Sequence, residues 1–106
     1  MSDDLPPVTK GTDDSGKIAY FFWADPTWKG FDSLVQYMKK YWNANVTESS
    51  DEVYSRRWVV TVNGAPIAIY HDSQRGNYFQ RNDESSDLDI LEKIYADLRA
   101  RLIQPG

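Results

Sequence analysis

The stretch that decides the fold is Val53-Tyr54-Ser55-Arg56-Arg57-Trp58-Val59-Val60-Thr61-Val62-Asn63-Gly64-Ala65-Pro66-Ile67-Ala68-Ile69-Tyr70, followed by a polar segment and Asn77-Tyr78-Phe79-Gln80-Arg81. Two apolar runs flank Asn63-Gly64. A two-residue type I′ turn needs positive φ at both central positions, which Asn and Gly adopt at low cost. That turn sets Val62 opposite Ala65 and fixes the register of both strands. Side chains alternate along a strand, so Trp58, Val60 and Val62 share one face and Arg57, Val59 and Thr61 the other. Beyond the turn, Ile67 and Ile69 share a face, and Ala68 and Tyr70 share the opposite one. The segment predicts three antiparallel strands in succession.

Upstream, residues 17–23 read as a strand that is apolar on both faces, with Ala19, Phe21 and Trp23 on one side and Ile18, Tyr20 and Phe22 on the other. Asp25-Pro26 ends it, and Asp25 or Thr27 caps a helix over 26–43. Phe31, Leu34, Val35, Met38, Tyr41 and Trp42 form its apolar stripe, and Lys39 and Lys40 suit the negative end of its dipole. Gly30 is a weak point near its start, and Asn43 suits a left-handed exit. Residues 46–48 read as a short strand and 49–52 as a turn.

Downstream, 71–76 read as a loop in which Gly76 takes positive φ, and 77–81 as the last strand. Ser85 or Ser86 caps a final helix, with Asp83, Glu84, Asp87 and Asp89 at its positive end. Leu88, Leu91, Ile94, Tyr95, Leu98 and Leu102 form its stripe. The expected architecture is an α+β two-layer sandwich. An antiparallel sheet of four to five strands carries two helices on one face, in the order β-α-(β)-β-β-β-α. Residues 1–16, rich in Asp, Pro, Gly, Ser and Thr, read as a flexible acidic tail, and 17–106 as a single domain.

The chain has 106 residues, the size of one domain, and a formal charge of −4. Residues 1–16 hold Asp3, Asp4, Asp13 and Asp14 against Lys10, so the rest is nearly neutral. Such a body lacks the basic footprint that nucleic-acid binding requires. There is no Cys, which excludes disulfides, thiolate chemistry and Cys-type zinc sites. No apolar run is long enough for a membrane helix, and the first residues lack an apolar signal core, so the expected location is the cytoplasm with no membrane partner. On that expectation the Asn45-Val46-Thr47 sequon is a chance match.

Candidate chemistry is sparse. His71 is the only histidine. His71, Asp72 and Arg75 are the candidates for an anion or ligand site, or for a small enzyme's loop. Three near-consecutive residues do not by themselves form a nucleophile–base–orienter geometry. The acidic run near residue 85 lacks the central Gly and terminal Glu of a calcium loop. Gly64 and Gly76 are isolated, so no phosphate cradle is expected, and neither a cofactor nor a metal. Arg56, Arg57, Arg75 and Arg81 read as an anion cluster or as solvated strand charges.

The aromatics carry the functional expectation. Four Trp, seven Tyr and four Phe exceed what a core of this size needs. By alternation, Val59 and Tyr70 fall on the sheet face that has no helices, one of the two apolar sets of the first strand must join them, and Phe21, Trp23, Val59, Tyr70 and Tyr78 are the candidate binding residues there. An open aromatic face is suited to a protein partner or to self-association. The expectation is a small non-catalytic binding protein acting through protein–protein contact. Acidic bacterial immunity proteins, inhibitors that neutralise a partner, and adaptors all fit that description.

Overall fold

The computed structural model describes residues 7–82 and 89–103. Six strands and two helices follow in the order β1 (Val8–Thr12), β2 (Ile18–Phe22), α1 (Trp28–Trp42), β3 (Asn45–Asp51), β4 (Ser55–Val62), β5 (Ala65–Asp72), β6 (Gly76–Arg81) and α2 (Asp89–Ile103). All strands form one sheet in the order β1-β2-β6-β5-β4-β3, and every pairing is antiparallel. The fold is α+β, as the sequence predicts, with one strand more than expected. No helix among the described residues is long and apolar enough to cross a membrane.

Asn63 (φ 51°) and Gly64 (φ 81°) both take positive φ, and Val62 lies opposite Ala65. Register then runs along β4 and β5 without interruption, pairing Val60 with Ile67 and Trp58 with Ile69. Helix α1 starts where Thr27 Oγ1 accepts a hydrogen bond from Gly30 N at 3.2 Å. It ends at Asn43, which is left-handed at φ 58° and donates its N–H to the Met38 carbonyl. Phe31, Leu34, Val35 and Met38 of α1 pack with Ile90, Leu91, Ile94 and Leu98 of α2 in one core. The sheet meets them with Val8, Tyr20, Phe22, Val60, Val62, Ile67, Ile69 and Phe79. The helix-facing set of the doubly apolar β2 is therefore Ile18, Tyr20 and Phe22.

Four expectations are corrected. Residues 8–12, assigned to a flexible tail, form the edge strand β1. An edge strand needs only one covered face, so Val8 alone, fully buried, supplies its apolar anchor. The Asp-Asp-Ser-Gly composition that suggested a tail is the turn that follows. Asp13 Oδ1 accepts from Ser15 N, Ser15 Oγ and Lys17 N at 2.8 to 2.9 Å, and Gly16 is at φ 86°. Second, Ser49–Asp51 pair with β4 rather than turn; they are polar because β3 is an exposed edge, with a bulge between Val46 and Glu48. Third, His71 and Asp72 extend β5, and the connection to β6 shrinks to Ser73, Gln74 and Arg75. Fourth, Tyr41 and Leu102 stand exposed at the margins of their stripes. The helix cap at Ser85 or Ser86, with Asp83, Glu84, Asp87 and Leu88, falls outside the described residues.

Candidate functional site

One line of residues crosses the helix-free face at a single register level. Thr9 on β1 lies opposite Phe21 on β2, Phe21 opposite Tyr78 on β6, Tyr78 opposite Tyr70 on β5, Tyr70 opposite Arg57 on β4, and Arg57 opposite Ser50 on β3. The rings stack along this line. Trp23 and Phe21 have centroids 5.6 Å apart at 10°, Phe21 and Tyr78 5.3 Å at 36°, and Tyr78 and Tyr70 4.9 Å at 14°. The Arg57 guanidinium closes the row 5.8 Å from the Tyr70 ring, with Nε donating to the Tyr70 hydroxyl at 3.3 Å.

The Phe21–Tyr78 and Tyr78–Tyr70 separations are close to the spacing between neighbouring strands, whereas Trp23 and Phe21 are two residues apart along the chain. Rings stacked at that spacing stand on edge against one another and turn their rims to solvent. Their faces are occupied by their neighbours. A platform for single-stranded nucleic acid works the opposite way, because it presents ring faces to the bases. The row is an aromatic ridge of rings packed on one another.

Beside the ridge lies a floor of small side chains. Ala19 and Ala68 are fully buried, and Val59 lies opposite Ala68, which lies opposite Gln80. Polar side chains bond to one another beside the floor. Arg57 reaches past Ala68 to donate to Asn82 Oδ1 at 2.5 Å and pairs with Glu48 at 3.6 Å. Gln80 donates to Asp13 Oδ2 at 3.1 Å. Bonds from Gln80 and Ser15 hold the Asp13 carboxyl well below the usual carboxylate range. Burial raises the Tyr78 hydroxyl above its ordinary value.

Phe21, Trp23, Val59, Tyr70 and Tyr78 all lie on this face. Phe21, Trp23 and Tyr70 are half-buried and accessible to a partner. Val59 and Tyr78 are corrected: at 2% and 8% exposure they are buried and offer a partner little surface. Val59 follows Arg57 by two residues on the same face of β4, and Tyr78 stands between Phe21 and Tyr70. Sequence reading named Arg57 only within a candidate anion cluster, and Thr9 not at all. Alternation had already put Arg57 on this face, but its contact with Tyr70 depends on the register. Thr9 accepts a bond from Trp23 Nε1 at 2.8 Å, a contact that requires β1 to be a strand.

The other candidate site does not assemble. Alternation places His71 on the helix side and Asp72 on the opposite face. His71 is buried, with Nδ1 2.8 Å from Asn77 Oδ1 and its ring edge-on to Trp28. Asn77 in turn donates to the carbonyls of Asp25 (2.8 Å) and Thr27 (3.0 Å), tying the sheet to the start of α1. Asp72 accepts from Gln74 N at 2.8 Å, and Arg75 pairs with Asp14. The three groups serve three separate structural roles.

The arginines also disperse. Arg56 is buried on the helix side, with its guanidinium 4.5 to 4.7 Å from the rings of Trp28, Phe31 and Trp58. It donates to Asp32 Oδ1 at 2.8 Å and Asp51 Oδ1 at 3.0 Å, so two carboxylates already meet its charge. A cleft of about 200 Å³ between Asn63 and α2, lined by Val62, Ala65, Ile90 and Lys93 among others, holds no reactive constellation. Among the described residues no group of His, Asp and Glu side chains is arranged to hold a metal ion. Comparison with known proteins finds no matching family model, no similar curated protein and no similar solved structure.

Proposed function

We propose that this chain is a non-catalytic binding protein that acts through protein–protein contact, with the helix-free sheet face as its contact surface. The observation that carries the reading is the in-register ridge of Trp23, Phe21, Tyr78 and Tyr70 closed by Arg57. Trp, Tyr and Arg are the residue types that dominate binding hot spots. Mutual stacking fixes these rings before any partner arrives, so little side-chain entropy is lost on binding. The charges on and around the face are mixed, Arg57 and Arg75 against Glu48, Asp72, Asp13 and Asp14, with no basic excess, which suits a protein surface better than a phosphate backbone. An immunity-type protein, an inhibitor or an adaptor would all use such a ridge. The alternative of a small enzyme or ligand binder at His71, Asp72 and Arg75 has no converging geometry to support it.

The test is affinity capture from the native host, followed by binding measurements with the purified partner. Phe21→Ser with Tyr70→Ser removes two accessible rings and leaves the buried Tyr78 in place. Two hot-spot residues together are worth roughly 3 kcal/mol or more, so affinity should fall by about a hundredfold or more. A double variant that folds normally and binds the partner as tightly as the native protein would overturn the reading.

A further inference from the structure

Among the described residues, the large apolar side chains left exposed lie at two places, on either end of α1. Trp28 (37% exposed), Val53 (80%) and Tyr54 (74%) lie at its N-terminal end. Tyr41 (46%) and Leu102 (39%) lie at its C-terminal end. The 15 residues of α1 put these groups about 20 Å apart. Single exposed apolar residues are ordinary. Here, however, the charge around each group has a net sign, acidic at one end, where Asp32, Asp51 and Glu52 outnumber Lys29 and Arg56, and basic at the other, where Lys39, Lys40 and Arg101 outnumber Asp97.

The tip between β3 and β4 is Glu52, Val53 and Tyr54. Tight connections favour Gly, Asn, Asp, Pro and Ser, and a β-branched Val beside a Tyr serves neither the turn nor the core. The tip is nevertheless well held. Glu52 N donates to Ser55 O at 2.7 Å, and Ser73 N donates to Tyr54 O at 3.2 Å. At its base two carboxylates, Asp32 and Asp51, share the one guanidinium of Arg56, and Glu52 adds a further negative charge. At the opposite end the Tyr41 ring lies 3.9 Å from the Arg101 guanidinium and 5.3 Å from Lys40 Nζ, with Lys39 adjacent. Among the described residues Asp97 opposes these cations, paired with Arg101 at 2.7 Å.

We propose that this chain associates with itself head to tail, the Val53–Tyr54 tip of one copy seating against the Tyr41–Leu102 surface of the next. Apolar groups then meet apolar groups, and the acidic rim of the tip meets Lys39, Lys40 and Arg101. A single copy cannot bring its own two ends together across α1. Because the contact joins unlike surfaces, it repeats into open chains or closes only as a ring. It is small, and its ionic part is exposed, so it is weak and sensitive to salt. It uses none of the ridge residues and is independent of the function proposed above.

Sedimentation of the full chain tests this. At low ionic strength the native protein should show species heavier than the 12.2 kDa monomer, growing with concentration and dispersing in high salt. One variant disables the tip (Glu52→Lys with Tyr54→Ser) and another the opposite surface (Lys40→Glu with Leu102→Ser). Each should weaken association by about tenfold or more, the worth of one lost hot-spot contact. Both should keep the native unfolding midpoint, because the altered side chains are exposed. An equimolar mixture of the two retains one intact contact and should form a dimer that grows no further. The Phe21→Ser, Tyr70→Ser protein should associate like the native one, which separates failure of this proposal from failure of the ridge. A native protein that stays monomeric at millimolar concentration, association indifferent to either variant, or a mixture that forms no dimer would each overturn the proposal.

Discussion

Replacing Gly30 by Ala should destabilise this protein, although the same change inside a helix ordinarily stabilises by about 1 kcal/mol. A Cβ at position 30 would lie 1.9 Å from the Asp25 carbonyl oxygen and 2.7 Å from its carbon. Neither atom is free to move. The Asp25 carbonyl accepts from Asn77 Nδ2, and Asn77 is buried beside His71. Gly30 N itself donates to the Thr27 cap. Relief of the overlap requires the 25–27 segment to shift, which loosens the cap, worth about 1 kcal/mol, and a bond to a buried amide, worth about 1 to 3 kcal/mol. Set against the propensity gain, the net loss should be about 2 kcal/mol. Urea unfolding measures it as a lower midpoint at unchanged slope. Ser33→Ala, at an exposed position three residues further along α1, should show the ordinary small gain. A Gly30→Ala protein as stable as the native one would refute the close approach of α1 to the 25–27 segment.

Deleting residues 1–12 removes β1, the fully buried Val8 and the Thr9–Trp23 bond; the expected cost is about 3 kcal/mol, and an unchanged urea midpoint would show that β1 contributes nothing to the fold. Stability should also fall in acid. Arg56 and Trp58 lower the Asp51 carboxyl, Lys10 and Tyr20 lower that of Glu92, and Gln80 and Ser15 lower that of Asp13. A depressed folded-state value means that this stability is complete above the ordinary values of 3.8 (Asp) and 4.5 (Glu) and is lost as pH falls through the lower folded values. At the alkaline end, burial together with Glu92 raises the Tyr20 hydroxyl, and burial together with Asp97 raises that of Tyr37, so stability declines again as pH climbs above 10.0. Urea midpoints across the pH range check both limbs, and a flat acid limb would contradict the carboxylate assignments.

Much of the fold was legible because it rests on local rules. The Asn63-Gly64 turn, the Thr27 cap and the Asn43 exit each follow from the conformational preference of one or two residues, and the structure shows all three. Alternation from Val62 outward correctly separated Val60, Ile67 and Ile69 from Val59, Ala68 and Tyr70. The misreadings share a cause. Residues 8–12 lack the apolar content of a buried strand because an edge strand meets the core through Val8 alone. Residues 49–51 are polar for the same reason on the other edge. His71 looked like a loop residue because its burial depends on α1 crossing above it.

The sequence by itself determined the two helices, the central hairpin and which residues of β4 and β5 share a face, since turn chemistry and side-chain period act within a few residues. Only the tertiary structure decided which apolar set of β2 turns inward. Both sets are apolar, and the choice follows from the pairing of Tyr20 with Phe79, residues far apart in the chain. The same long-range insertion of β2 between β1 and β6 brings Phe21 against Tyr78, and so makes one ridge from rings contributed by β2, β5 and β6. Strand order is a property of the whole chain's packing, and no local preference encodes it.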